Sequence, residues 1–166
     1  MDILYAPWRD LYIRSAKDTT ESVCVFCDII QDVTQDARHF VLKRTSHTIT
    51  LMNLFPYNSG HLLILPLEHV QNLVQIDSKV ASEMMLLAGK AQELLARVAQ
   101  AQGANVGINL GSVAGAGLPG HLHMHFVPRW AGDTNFLPIL AQTKQISVDL
   151  QKMYEKLKIE FDALLI

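Results

Sequence analysis

The period of the apolar positions changes along the chain, and each change marks an element. Residues 39–43 and 48–53 are rich in Val, Ile, Thr and Phe and predict the two strands of a hairpin. Pro56-Tyr57-Asn58-Ser59-Gly60 is a strong turn signal. His61-Leu62-Leu63-Ile64-Leu65-Pro66 then reads as a short apolar strand ended by proline. From Asp77-Ser78, which can cap a helix, Val80, Met84, Leu87, Ala91, Leu94 and Val98 recur three or four residues apart. They predict a helix to about Gln102, with Gly103 as its C′ glycine. Residues 105–110 read as a strand, and residues 111–120 as a glycine-rich loop. The loop delivers the chain into Gly120-His121-Leu122-His123-Met124-His125-Phe126-Val127-Pro128. With a strand's period of two, His121, His123 and His125 share one face there and Leu122, Met124 and Phe126 the other. A helix would turn each successive histidine by about 200° and scatter them. Pro128 suits the end of that strand.

The ends of the chain complete the pattern. Residues 1–22 are mixed, with a break at Ala6-Pro7-Trp8-Arg9, and read as an N-terminal extension. Cys24-Val25-Phe26-Cys27-Asp28-Ile29-Ile30 leads into a polar turn at 31–38. Ser147 can cap a last helix, within 143–166, that carries Leu150, Tyr154, Leu157, Phe161 and Leu164 along one face. The order of strands, long helix, two strands joined by a glycine loop and C-terminal helix predicts an α+β fold. Its sheet is mostly antiparallel, and residues 1–166 form a single domain.

Composition narrows the class. A hydrophobic share of 49% with 18% charged residues is that of a globular chain with a real core. The charge of −2, from 14 basic and 16 acidic residues, and the absence of a basic run argue against nucleic-acid binding. No apolar run has the roughly 18 residues of a membrane span, and the start of the chain lacks the layout of a signal peptide, so a cytoplasmic protein is expected.

Two clusters carry candidate chemistry. The only cysteines form Cys24-x-x-Cys27. The pair can give two thiolates to a tetrahedral metal, with histidines or carboxylates completing the set; His39, His47, His61, His69 and the three clustered histidines are available. A redox pair is the rival, but it wants the start of a helix in a βαβ unit, which the flanking pattern does not offer. Two small buried hydrophobes are the bland alternative. The histidine row has its own alternatives: a shared metal, a coincidence of core and surface, or nucleophilic catalysis. Neutral imidazole is a good nucleophile toward phosphorus, and the glycines before it let backbone N–H groups approach an anion. The loop is no Walker loop, because no Gly-Lys-Ser/Thr follows it.

The run His121-Leu122-His123-Met124-His125-Phe126-Val127 resembles the signature of the histidine-triad (HIT) superfamily of nucleotide hydrolases and transferases. The resemblance extends from Cys24 to about Phe136 and takes in the cysteine pair, the segment from Asn53 to His61, and Pro66-Leu67-Glu68-His69. Arg129-Trp130-Ala131-Gly132-Asp133-Thr134-Asn135-Phe136, with Ala6-Pro7-Trp8-Arg9, is similar to the bacterial diadenosine tetraphosphate phosphorylase subgroup. The resemblance implies a HIT-like fold in which His123 attacks the α-phosphorus and His125 donates to phosphate oxygens. It implies that the His121 carbonyl orients the nucleophile. It also implies a structural zinc held by Cys24, Cys27, His69 and His121, a closed Cys₂His₂ set. Asn53 matches a ribose contact, Asn109 a phosphate contact, and His61 a supporting position beneath the site. Trp130 and Phe136 are candidates to stack on a base, and the 76–102 helix and Trp8 to form a homodimer interface.

One departure bears on substrate. Relatives carry a Gln with Ser or Thr where this chain has Ala114-Gly115-Ala116-Gly117-Leu118-Pro119-Gly120, so Gly117 leaves only backbone donors at the phosphate. A substrate with an already good leaving group fits such a site, and a dinucleoside polyphosphate cleaved by phosphorolysis or hydrolysis is the expectation. Phosphoramidate or adenylyl-sulfate hydrolysis, or nucleotide binding with little turnover, are the alternatives.

Overall fold

The computed structural model describes residues 24–135, 140, 146 and 148–165. Among them, five strands form one antiparallel sheet: β1 (Val41–Arg44), β2 (Thr48–Met52), β3 (Leu62–Pro66), β4 (Gly103–Ile108) and β5 (Met124–Arg129). Their order across the sheet is β1-β2-β3-β5-β4. The helices are α1 (Val25–Gln31), α2 (Ser78–Ala99) and α3 (Leu150–Asp162). The mixed architecture with its long and C-terminal helices is the one the apolar pattern predicts.

Period-two alternation divides the sheet into two unequal faces. Leu62, Ile64, Leu122, Met124 and Phe126 point to the side where α2 and α3 pack, and join Leu87, Ala91, Leu95, Leu157 and Phe161 in the larger core. Ile49, Leu51, Leu63 and Leu65 point the other way and are met by Phe26 and Ile29 of the short α1. Among the described residues, the helix over that second face is the seven-residue α1.

Several boundaries differ from the sequence pattern, each for a local reason. Helix α2 starts on Asp77, whose carboxylate accepts from the Lys79 N–H, but ends at Ala99 rather than Gln102. Gln100 takes the left-handed turn, at φ 54°, and Gly103 instead opens β4. The sheet claims these residues: Gln102 N–H donates to the Arg129 carbonyl and Gly103 pairs with Arg129. The ladder of β5 begins at Met124, so His121 and His123 precede it, and Pro128 sits inside the strand. The alternation nonetheless holds, with Leu122, Met124 and Phe126 buried in the larger core. The last helix begins at Leu150 on an Asp149 cap; Ser147 lies outside the described residues, as do the extension at 1–22 and Phe136. The polar turn after the cysteines holds a 3₁₀ turn at Val33–Gln35.

Helix α3 closes the β1 side of the sheet. The Tyr154 hydroxyl donates to the Val41 carbonyl, Lys158 Nζ to that of Leu42, and Lys43 Nζ to that of Leu164. At the opposite side, β4 leaves an edge with no strand beside it among the described residues. No described helix is long and apolar enough to cross a membrane.

Candidate active site and metal centre

The cysteines come together with two histidines through three backbone segments. Cys24 caps α1 and Cys27 occupies its first turn, so a spacing of three residues puts both sulfurs at one helix end. The Leu122 N–H donates to the Val70 carbonyl at 2.7 Å, which ties the segment after β3 to the approach to β5 and brings His69 beside His121. The ligand atoms of Cys24, Cys27, His69 and His121 all lie within 4.8 Å of one another. His121 Nδ1 is 3.5 Å from Cys24 Sγ and 3.7 Å from Cys27 Sγ, and His69 Nδ1 is 3.2 Å from Cys27 Sγ. Around one tetrahedral zinc, Zn–S bonds of about 2.3 Å and Zn–N bonds of about 2.1 Å would set S···N at roughly 3.6 Å. The donor set fits such an ion.

The ring of His121 is prepared for that role. Its Nε2–H donates to the Pro66 carbonyl at 3.0 Å, which leaves the Nδ1 lone pair directed at the sulfurs. Burial lowers its pKa, and the neighbouring His69 and His123 add to the shift. His39 and His47, both open candidates by sequence, are not in the cluster. Cys24 and Cys27 do open a helix, contrary to the flanking pattern, but no described strand precedes it to make a βαβ unit. Burial, reinforced by Cys24, pushes the Cys27 thiol up to about 11.

The same stretch builds a second centre. His123 Nδ1–H donates to the His121 carbonyl at 2.8 Å, so the proton sits on Nδ1 and the lone pair on Nε2. Burial lowers the His123 pKa, which keeps the ring neutral. Phe26, held between the two cysteines, lies 5.2 Å from the His123 ring and 5.6 Å from that of His121. One residue thus touches both centres.

His125 and His61 form a chain whose polarity follows from one backbone donor. The Tyr57 N–H donates to His61 Nδ1 at 3.0 Å, which fixes the His61 proton on Nε2. That Nε2–H faces His125 Nδ1 at 2.9 Å and must donate to it. The His125 proton is therefore on Nε2. His123 and His125, two positions apart on one face, carry opposite tautomers: one presents a lone pair, the other an N–H. Gly107 is the cross-strand neighbour of His125 on β4, and no atom of the described residues lies within 4 Å of where its Cβ would be.

The remaining predicted residues divide. Asn53 is in the site region, 3.3 Å from His61 Nδ1 through Nδ2, while its Oδ1 accepts from the Phe55 N–H in a local turn. Asn109 Nδ2 donates to the Gly115 carbonyl at 3.5 Å, which pins the glycine loop. That loop holds a 3₁₀ turn at Ser112–Ala114 and passes through half-buried Gly117 into the histidines. Trp130 is not brought to them. It lies beyond the far end of β5, five residues and roughly 16 Å along the strand from His125, and its Nε1–H donates to the Ala99 carbonyl. Phe26 and Tyr57 carry no signal of a site in the sequence, where a cysteine motif and a turn motif each account for them.

His-x-His-x-His thus contributes to two clusters, one that could hold a metal ion and one with paired tautomers. The family model for the HIT domain matches residues 34–132. The chain belongs to the HIT domain family. The AP-4-A phosphorylase of Mycobacterium tuberculosis is 36% identical over 149 residues, which cover 86% of this chain and 75% of that protein. The asymmetrical bis(5'-nucleosyl)-tetraphosphatase of Schizosaccharomyces pombe is 31% identical over 93 residues, 56% of this chain and 50% of its own. Both are HIT-type enzymes. A Zn-bound HIT protein from Mycobacterium smegmatis shares the fold, with a TM-score of 0.67 at 23% identity over 84% of this chain and 93% of its own.

Proposed function

We propose that this HIT enzyme cleaves a dinucleoside polyphosphate of the diadenosine tetraphosphate type by nucleotidyl transfer through His123. The observation that carries the reading is the 2.8 Å hydrogen bond from His123 Nδ1–H to the His121 carbonyl, which leaves Nε2 as a neutral nucleophile. In the first step the Nε2 lone pair attacks the α-phosphorus. A P–N bond forms, and the P–O bond to the departing nucleoside polyphosphate breaks with its electron pair on the oxygen. The His125 Nε2–H holds a non-bridging oxygen as charge builds on the phosphorus. In the second step orthophosphate or water attacks the same phosphorus and gives up a proton, and the P–N electrons return to His123. The names of the two enzyme relatives support this substrate class. Backbone donors around Gly117 suit a leaving polyphosphate, which needs little protonation, and Asn53 and Asn109 are the proposed nucleotide contacts.

In the same reading Cys24, Cys27, His69 and His121 hold a structural zinc, since four protein ligands leave no open position. The ion would cross-link α1 to the approach to β5 and take no part in the reaction. A homodimer through α2 and the open edge of β4 completes the proposal; Met85 and Leu86 on the helix and Val106 on the strand are exposed. The reaction is tested by incubating the protein with diadenosine tetraphosphate, with and without orthophosphate. ADP plus ATP formed only with orthophosphate identifies a phosphorylase, and AMP plus ATP without it a hydrolase. No product in either tube contradicts the proposal.

A further inference from the structure

The turn at residues 56–60 connects β2 to β3, and sequence reading gives it no chemical role. Its geometry is unusually constrained. The His61 N–H donates to the Asn58 carbonyl at 3.1 Å, and Asn58 Nδ2, on a buried side chain, donates to the Pro128 carbonyl and to Asp133. Gly60 at φ 74° presses against Leu95, where even a methyl group would come within 2.8 Å. The turn is therefore anchored to β5 and to α2, and Tyr57 is presented from a fixed backbone.

We propose that Tyr57 is a positioning residue that holds His125 in its donor state through both its backbone and its ring. The backbone half is the N–H bond to His61 Nδ1, from which the proton positions of His61 and His125 follow in turn. The ring half is a stack. The phenol ring lies 4.8 Å from His61 with 31° between planes, and 5.8 Å from His125 with 24° between planes. The two imidazoles are themselves 5.1 Å apart and tilted by 41°. Tyr57 thus runs along both rings of one hydrogen-bonded pair. Rotation of either imidazole about its ring axis would swap a nitrogen for a carbon at their 2.9 Å contact and would have to push the phenol ring aside. Half-turned, His125 would aim a C–H or a lone pair at the phosphate. A flat ring beside the pair removes that state before substrate arrives, which is preorganisation of a donor. The carbon framework of the ring does this work, and the hydroxyl is not required.

The kinetic part of this role rests on the proposed nucleotidyl transfer; the hydrogen bond between His61 and His125 does not. The full chain is compared with Tyr57→Phe, Tyr57→Leu and Tyr57→Met, the last two filling volume without a flat ring. Steady-state kinetics on diadenosine tetraphosphate with orthophosphate is read beside ¹⁵N–¹H spectra of the histidine side chains. Tyr57→Phe keeps kcat within about twofold and retains the His61 Nε2–H signal. The Leu and Met variants lower kcat about tenfold with KM within about twofold, and lose that signal to solvent exchange. A Leu or Met variant with wild-type kcat and an intact signal overturns the proposal. So does a Phe variant as impaired as Leu, because the function would then lie in the hydroxyl. If the wild-type protein cleaves no dinucleoside polyphosphate, the functional reading fails, and the spectra alone decide for or against Tyr57.

Discussion

The chemistry of the site depends on where three protons sit, and each is placed by a backbone group. The Pro66 carbonyl takes the His121 proton, the His121 carbonyl takes that of His123, and the Tyr57 N–H excludes one from His61 Nδ1. Backbone groups do not titrate or rotate freely, so the tautomers are as fixed as the fold. His123→Ala is expected to abolish turnover, by at least about a thousandfold, while equilibrium dialysis still detects nucleotide binding. Activity retained in that variant would exclude His123 as the nucleophile. A second residue-scale prediction concerns Asp133, which accepts from Arg129, the Trp130 N–H and Asn58. The Arg129 hydrogen bonds hold its carboxyl well below the usual carboxylate range. A carboxylate whose folded pKa is depressed contributes stability above its unfolded value of about 3.9 and loses it as the pH falls toward the folded one. The Tm gap between wild type and Asp133→Asn should therefore be constant above about pH 5 and shrink below about pH 4. A gap that widens on acidification would contradict the assignment.

At the scale of elements, the parts that carry the site are short and need clamps. Helix α1 has only seven residues, too few to be stable alone, yet it carries both cysteines and Phe26. Arg44 on β1 donates to the Ile29 and Ile30 carbonyls at its C-terminal end and forms a two-pronged ion pair with Asp36. Arg44→Ala should cost about 1–3 kcal/mol of stability by chemical denaturation and release metal at lower chelator concentration than wild type. Unchanged metal retention would show that α1 needs no clamp. The turn makes a matching case: Gly60→Ala combines a left-handed backbone with a close approach to Leu95, and should destabilise by about 1–3 kcal/mol in the same assay. Legibility in the sequence follows this division between local and distant. The hairpin, the α2 stripe and the alternation at 121–127 are local periodicities, and the fold keeps them. The end of α2 falls short of the sequence expectation because Gly103 is a better left-handed residue than Gln100 in isolation, while pairing with Arg129 decides otherwise. Arg44 with α1, Tyr57 with His125 and Trp130 with Ala99 are contacts between segments far apart in sequence, and no pattern within one segment announces them. The cysteine pair and the histidine row were each legible; that His121 serves both, with side chain to one and carbonyl to the other, came from the resemblance and is what the geometry supports.

For the whole molecule, the two centres are one structure because β5 and its approach pass through both. His121 joins the Cys24/Cys27/His69 cluster to His123, the proposed nucleophile, Phe26 packs on both rings, and the helix-covered face of the sheet supports the row from behind. Metal analysis of the purified protein should find one zinc per chain, and removal by a chelator should lower Tm, since the unfolded chain lacks the preformed site. A fully folded protein with an unchanged Tm after complete removal would sink the structural role of the ion. The central claim, nucleotidyl transfer to His123, is tested most directly by catching the intermediate. The protein is mixed with diadenosine tetraphosphate without orthophosphate, quenched at neutral to alkaline pH within one turnover, and examined by intact-mass and peptide mass spectrometry. The account predicts an acid-labile adduct of one AMP group on His123, absent from His123→Ala and discharged by orthophosphate or water. An adduct on another residue, or rapid product formation by wild type with no covalent species at any time, would contradict it.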